Sequence, residues 1–183
     1  MILENIQKLI QEAYIFSDKT ISVDLHKFES GEVDKLLISG LSGGGKTSTG
    51  NYLKDKYSVP LIDTDDLNDE LNDLILSNKR CIISGIGIAK RYSGAKVPEH
   101  ELNRMKQTIL NSSFIFLGKS LLKSSFDGYL RNRKKENNPY SLYDSIKINF
   151  NKFYKNEMQL RKDRCAVPQS VIKEFSYEYN SKN

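Results

Sequence analysis

A chain of 183 residues, 38% of them hydrophobic and 28% charged, has length for one domain, or one domain with an appendage, and the balance of a soluble enzyme rather than a disordered or fibrous protein. No run nears the roughly 18 apolar residues of a membrane span, the N-terminus lacks a basic region followed by an apolar core, and Cys81 and Cys165 suit reduced thiols better than a disulfide framework, so a cytoplasmic protein is expected. The formal net charge of +5 is uneven: residues 119–164 hold twelve Lys and Arg against five acids, a net of +7 that leaves −2 for the rest, which suits a nucleotide, permits nucleic acid, and equally describes a solvated surface.

Taken in order, Ile2, Ile6, Leu9, Ile10 and Ala13 fall at helical spacing, so Ile2 to Phe16 reads as an amphipathic helix. Thr20 to Leu25 alternates as a half-buried strand, and Glu29-Ser30-Gly31-Glu32 reads as a turn. Lys35 to Ser39 is a short apolar run suited to a buried parallel strand. It leads into Gly40-Leu41-Ser42-Gly43-Gly44-Gly45-Lys46-Thr47, which fits G-x-x-x-x-G-K-[ST], the phosphate-binding P-loop. Glycines let backbone N–H groups close on phosphate without Cβ clashes; in this pattern Lys46 reaches the β- and γ-phosphates and the Thr47 hydroxyl is placed for Mg²⁺. Lys46 to Tyr57 reads as a helix weakened by Gly50, with its positive end at the anion site. Strand, glycine loop and helix form the context the motif requires.

Ser58 to Asp66 reads as a second strand ending in acids, with Pro60 tolerated at its start. Leu67, Leu71, Leu74 and Ile75 mark a helix, Cys81 to Ser84 a third strand ending in Gly85-Ile86-Gly87, and Leu102, Met105, Ile109 and Leu110 another helix. Phe114 to Leu117 is a fourth strand, and Leu122, Phe126, Tyr129 and Leu130 give the next helix face. Arg131 to Tyr140 is polar, basic and closed by Asn-Asn-Pro, so it reads as a loop. Tyr143, Ile146, Phe150 and Phe153 start a long final helix, with Tyr140 and Tyr143 read as packing residues; no fifth strand is evident beyond it. Alternating strands and helices imply an α/β fold, a parallel sheet covered on both faces in a three-layer α/β/α arrangement, with residues 1–34 as an N-terminal helix and strand extension that packs on the core or covers a sheet edge. The loops that follow the strands then share one sheet edge, so Gly40–Thr47, Asp63–Asp66 and Gly85–Gly87 converge on one cleft.

The P-loop, Leu61-Ile62-Asp63-Thr64-Asp65, the third-strand glycines and Arg131-x-Arg133 resemble the small P-loop kinases: shikimate, gluconate and nucleoside-monophosphate kinases. The overlap runs from about Lys35 to Arg164 within a domain of residues 35–183. The chain is also similar to kinase-like proteins of bacteriophages, and its 21 Lys against 7 Arg suits an AT-rich genome. The resemblance implies that Asp63 helps hold Mg²⁺, Asp65 contacts the acceptor, Gly85 and Gly87 line the acceptor pocket, and Arg131 and Arg133 clamp the transferring phosphoryl group. Lys46 is the P-loop lysine, with Gly40, Leu41, Ser42, Gly43, Gly44, Gly45 and Thr47 around the nucleotide. Departures from the family are the lack of an acid at the end of the third strand and Gly118-Lys119-Ser120 after the fourth, where many relatives carry an acid. Asp63 and Asp65 could instead cap the helix that begins near Asp66, and the two arginines suit solvated charges at a helix C-terminus. The expected function is an ATP-dependent, Mg²⁺-requiring phosphotransferase acting on a small molecule or nucleotide. Its rivals are a polynucleotide 5′-kinase and a nucleotide-binding switch with little turnover.

Overall fold

The computed structural model describes residues 20–64, 70–119, 121–133 and 141–165, and within them every apolar run read as a strand is one. β1 (Ile21–Val23), β2 (Lys35–Ser39), β3 (Leu61–Asp63), β4 (Cys81–Ser84) and β5 (Ser113–Phe116) form one sheet in the order β1-β5-β2-β4-β3. β5, β2, β4 and β3 run parallel, while β1 lies antiparallel on the outer edge of β5. The sheet is therefore mixed rather than parallel. Its fifth strand comes from before the glycine loop, where it covers an edge that would otherwise offer unpaired N–H and C=O groups.

Alternation along the strands splits the core in two. Leu36, Ile38, Leu61, Ile82 and Ile115 meet Phe28 of α1 (Leu25–Ser30) and Leu53 of α2 (Lys46–Tyr57) on one face. Leu37, Ile83, Phe114 and Phe116 meet the other face's helices: α3 (Glu70–Leu76) through Leu71 and Ile75, α4 (Gly87–Tyr92) through Ile88 and Tyr92, and α5 (Leu102–Asn111) through Met105 and Ile109. Leu160 of α8 (Lys155–Arg164) joins them. The crossover after β2 runs over one face and that after β4 over the other, so the connections leaving these two paired strands diverge at the carboxyl edge. Open α/β sheets place ligands at such a divergence. Gly50, which weakens α2 as a helix, lets that helix close on the sheet: a Cβ there would lie 2.8 Å from Leu61 Cδ1.

Several details differ from the sequence reading. The first strand stops at Val23 because Asp24 turns left-handed at φ 52°, and the chain enters α1, a helix its pattern does not advertise. α4 likewise begins at Gly87, where the sequence suggests only the end of a strand loop. The segment from Arg131 is not a loop at its start: α6 (Leu121–Arg133) carries both arginines in its last turn. Most of the face read as apolar turns outward: Leu122, Phe126 and Leu130 are 63%, 45% and 42% exposed and Tyr129 is half-buried, while Ser124 and Ser125 are buried. The long final helix is present as α7 (Leu142–Asn149), a π-helical turn over Phe150–Tyr154, and α8. Tyr143 is 71% exposed and so is not a packing residue. Cys81 and Cys165 are buried free thiols, and burial pushes both above the ordinary thiol range. The Ile2–Phe16 helix, Asp65, Tyr140 and the chain past Cys165 lie outside the described residues.

Candidate functional site

The loop from Gly40 to Gly45 joins the carboxyl end of β2 to the first residue of α2. Gly43 and Gly45 sit at φ 70° and 90°, where a side chain is strained, and Gly45 is the residue on which α2 starts. Gly44 N donates to Leu41 O at 3.1 Å, and Thr49 N to Gly45 O at 2.9 Å, so the glycine run is a turn continuous with the helix. Lys46 folds back over the loop, its Nζ donating to Gly40 O and Leu41 O at 3.0 Å each. Thr47 is exposed in the first turn of α2.

α6 lies across this loop. Ser124 Oγ donates to Ser42 O at 2.8 Å, and Arg131 Nη2 donates to Ser42 Oγ at 3.1 Å. Lys119, in the loop after β5, donates from Nζ to Gly43 O at 2.7 Å and pairs with Asp127 of α6. A Cβ on Gly43 would come within 3.1 Å of Lys119 Nζ and 3.3 Å of Arg131 Nη2. Three cations, Lys46, Lys119 and Arg131, thus bond to atoms of one short glycine loop. Arg133 does not join them; its guanidinium lies 5.7 Å from the ring centre of Tyr129.

The carboxyl ends of β3 and β4 supply the second wall. Asp63 ends β3 opposite Ser84 of β4, and Ser84 in turn lies opposite Ile38 of β2. Two strand spacings separate Asp63 from β2, roughly 10 Å. By alternation Asp63 and Ser84 share the face covered by α2. Ser84 Oγ is buried and, among the described residues, without a hydrogen-bond partner. Gly85 and Gly87 are packed against Thr64: a Cβ on Gly85 would lie 1.9 Å from Thr64 Oγ1, one on Gly87 would lie 3.0 Å from the same oxygen, and Gly87 N donates to it at 3.1 Å. These glycines bring the β3 and β4 loops together. Among the described residues no group of three or more His, Cys, Asp and Glu is arranged to hold a metal.

Beneath the loop lies a buried ionic bracket. Arg161 of α8 donates to Glu157 Oε1 and to Leu117 O, at 2.9 Å each, and Glu157 Oε2 accepts from Ser39 Oγ at 2.6 Å. Ser39 immediately precedes the glycine loop, and Leu117 stands two residues before Lys119, so one helix fixes the roots of both loops. Beside Gly40 the space between α4 and α8 is a cavity of about 10 Å³, one water's worth, bounded by Ile86, Lys90 and Glu157. Lys119 and Arg131 line the α6 side of the loop.

Sequence reasoning brought Lys46, the glycine loop, Asp63 and Arg131 to this end of the sheet but did not select Lys119, Glu157 or Arg161. Lys119 had one usable signal, its place just past the carboxyl end of a parallel strand. No protein-family model, curated protein or solved structure matches the chain.

Proposed function

We propose that the chain is a P-loop phosphotransferase that uses ATP and Mg²⁺ to phosphorylate a hydroxyl or phosphate on a small molecule or nucleotide. The observation that carries this reading is the glycine loop after β2 opening a twelve-residue helix, with Lys46 folded over the loop and Arg131 bonded to it from α6. Phosphoryl transfer asks little covalent chemistry of a protein; it needs the reactants positioned and the equatorial oxygens neutralised. Lys46 and Arg131 supply that charge, and the positive end of α2 adds to it. The acceptor oxygen bonds phosphorus as the bond to the leaving ADP oxygen breaks, and the resemblance to small kinases gives the acceptor proton to Asp65.

The donor set fits a hard cation. Thr47 and Asp63 offer oxygen ligands, and the buried Ser84 hydroxyl beside Asp63, without a hydrogen-bond partner among the described residues, would give a bound water one. Mg²⁺ held there would neutralise charge on the β- and γ-phosphates.

Screening metabolites, nucleotides and short oligonucleotides for ATP-dependent phosphorylation tests the reading. Transfer to a small acceptor by the wild type, lost in Asp63→Asn, is the expected result. ATP binding with no acceptor-stimulated turnover would favour a nucleotide-binding switch, and transfer confined to oligonucleotide ends would favour a polynucleotide kinase.

A further inference from the structure

We propose that Lys119 is a second phosphate-binding cation of the glycine loop and that Asp127 holds its charge until a polyphosphate takes its place. The inference rests on the reading of the loop as a phosphate site. Lysines are seldom buried unless paired, yet the Lys119 side chain is only 10% exposed. Its ammonium donates to the carbonyl of Gly43 in the loop, and its ionic partner is Asp127, whose side chain remains 42% exposed.

The two ends of that pair differ in what holds them. Lys119 is fixed by the loop after β5, whose root is tied down at Leu117 by Arg161. Asp127 lies mid-helix on α6 with water on one side. Arg131, one turn on, faces the same loop, and Lys123 lies one turn before Asp127. Asp127 thus stands among three cations, and the Lys119 ammonium beside it holds its carboxyl below the usual carboxylate range. A triphosphate entering from the α6 side meets Lys46, Lys119 and Arg131 and offers more charge than one carboxylate. Lys119 exchanges a half-solvated carboxylate for phosphate oxygens, and Asp127 turns to water with Lys123 for company. The carboxylate is then an internal competitor, and removing its charge favours the ligand.

Opposite effects from the two partners make the test. Calorimetric titrations with ATP and with inorganic tripolyphosphate are run on the wild type, Lys119→Met, Lys119→Arg, Asp127→Asn and the Lys119→Met/Asp127→Asn double variant, with Lys46→Ala as reference. Lys119→Met is expected to weaken both ligands about ten- to a hundredfold, the worth of a charge-assisted hydrogen bond. Lys119→Arg should keep most of the affinity. Asp127→Asn should tighten both ligands several-fold and have no effect once Lys119 is Met. If Lys119→Met fails to fold, Asp127→Asn decides alone, since it removes one charge from a half-exposed position. Wild-type affinity in Lys119→Met, or weaker binding in Asp127→Asn, would show an ordinary structural bridge and overturn the inference while Lys46→Ala still loses binding. Equal binding by Lys46→Ala and the wild type would instead overturn the phosphate-site reading beneath it.

Discussion

Arg131 and Arg133 are two residues apart, and on an α-helix two residues is 200° of rotation. Only one of them can face the loop that α6 crosses, and the hydrogen bond to Ser42 shows it to be Arg131. Read as a loop, the segment allowed both arginines to converge on phosphate; as the last turn of a helix it separates them. The consequence is kinetic. Arg131→Ala should lower the maximal rate of ATP turnover by ~10²-fold, the scale of losing one positioned charge at a phosphoryl transition state, and Arg133→Ala should leave it near wild type. Steady-state ATPase or transfer assays on the two variants check this, and equal losses would contradict the placement. Lys119 gives a similar lesson. It is one of 21 lysines in the chain, and only its position past the end of β5 distinguishes it before the fold is known.

Among the elements, α8 does more than complete the core. Leu160 packs with the sheet, but Glu157 and Arg161 reach Ser39 and Leu117 at the ends of β2 and β5, and Arg164 donates to Asp24 beside β1 at 2.7 Å. Three strands are thereby referred to one helix. Both members of the Glu157–Arg161 pair are buried, so losing one leaves the other charged in a dry site. Arg161→Met should cost about 3–5 kcal/mol of stability, the usual result of breaking such a pair. Urea unfolding monitored by circular dichroism measures it, and a loss below about 1 kcal/mol would show that water reaches the pair. Parallel strands and their helices were legible because short apolar runs and 3.6-residue spacings recur along the chain. α1 and α4 were not, being six residues each and too short to show a period. The direction of α6 was not legible either. Periodicity marked Leu122, Phe126, Tyr129 and Leu130 as one face, but α6 turns its serines inward, where Ser124 donates to Ser42 O and Ser125 Oγ accepts from Asn149.

For the whole molecule, the net charge of +5 and the excess between residues 119 and 164 leave open a small anion or a nucleic-acid strand. The placement of α6 fits the proposed small acceptor better than a strand. Leu122 and Phe126 each lie two residues from Ser124, which faces the glycine loop, so the exposed apolar stripe of α6 points away from the site. A strand that stacked its bases there would not deliver an end to Lys46. The convergence of the β2, β3 and β4 loops was readable from their order alone, because right-handed crossovers put them at one edge. The bracket under the loop was not, because Ser39 and Glu157 stand 118 residues apart and nothing in either neighbourhood announces the other.

The measurement closest to the central claim is calorimetric titration of MgATP into the wild type and Lys46→Ala, with thermal unfolding of both proteins recorded in parallel. Lys46 donates to two loop carbonyls rather than filling the core, so its removal opens no buried cavity and the fold should persist. The account predicts saturable MgATP binding by the wild type and a loss of at least about tenfold in the variant, the scale of one charge-assisted contact, at nearly unchanged melting temperature. Equal affinities in the two proteins, or no binding by a folded wild type, would contradict it.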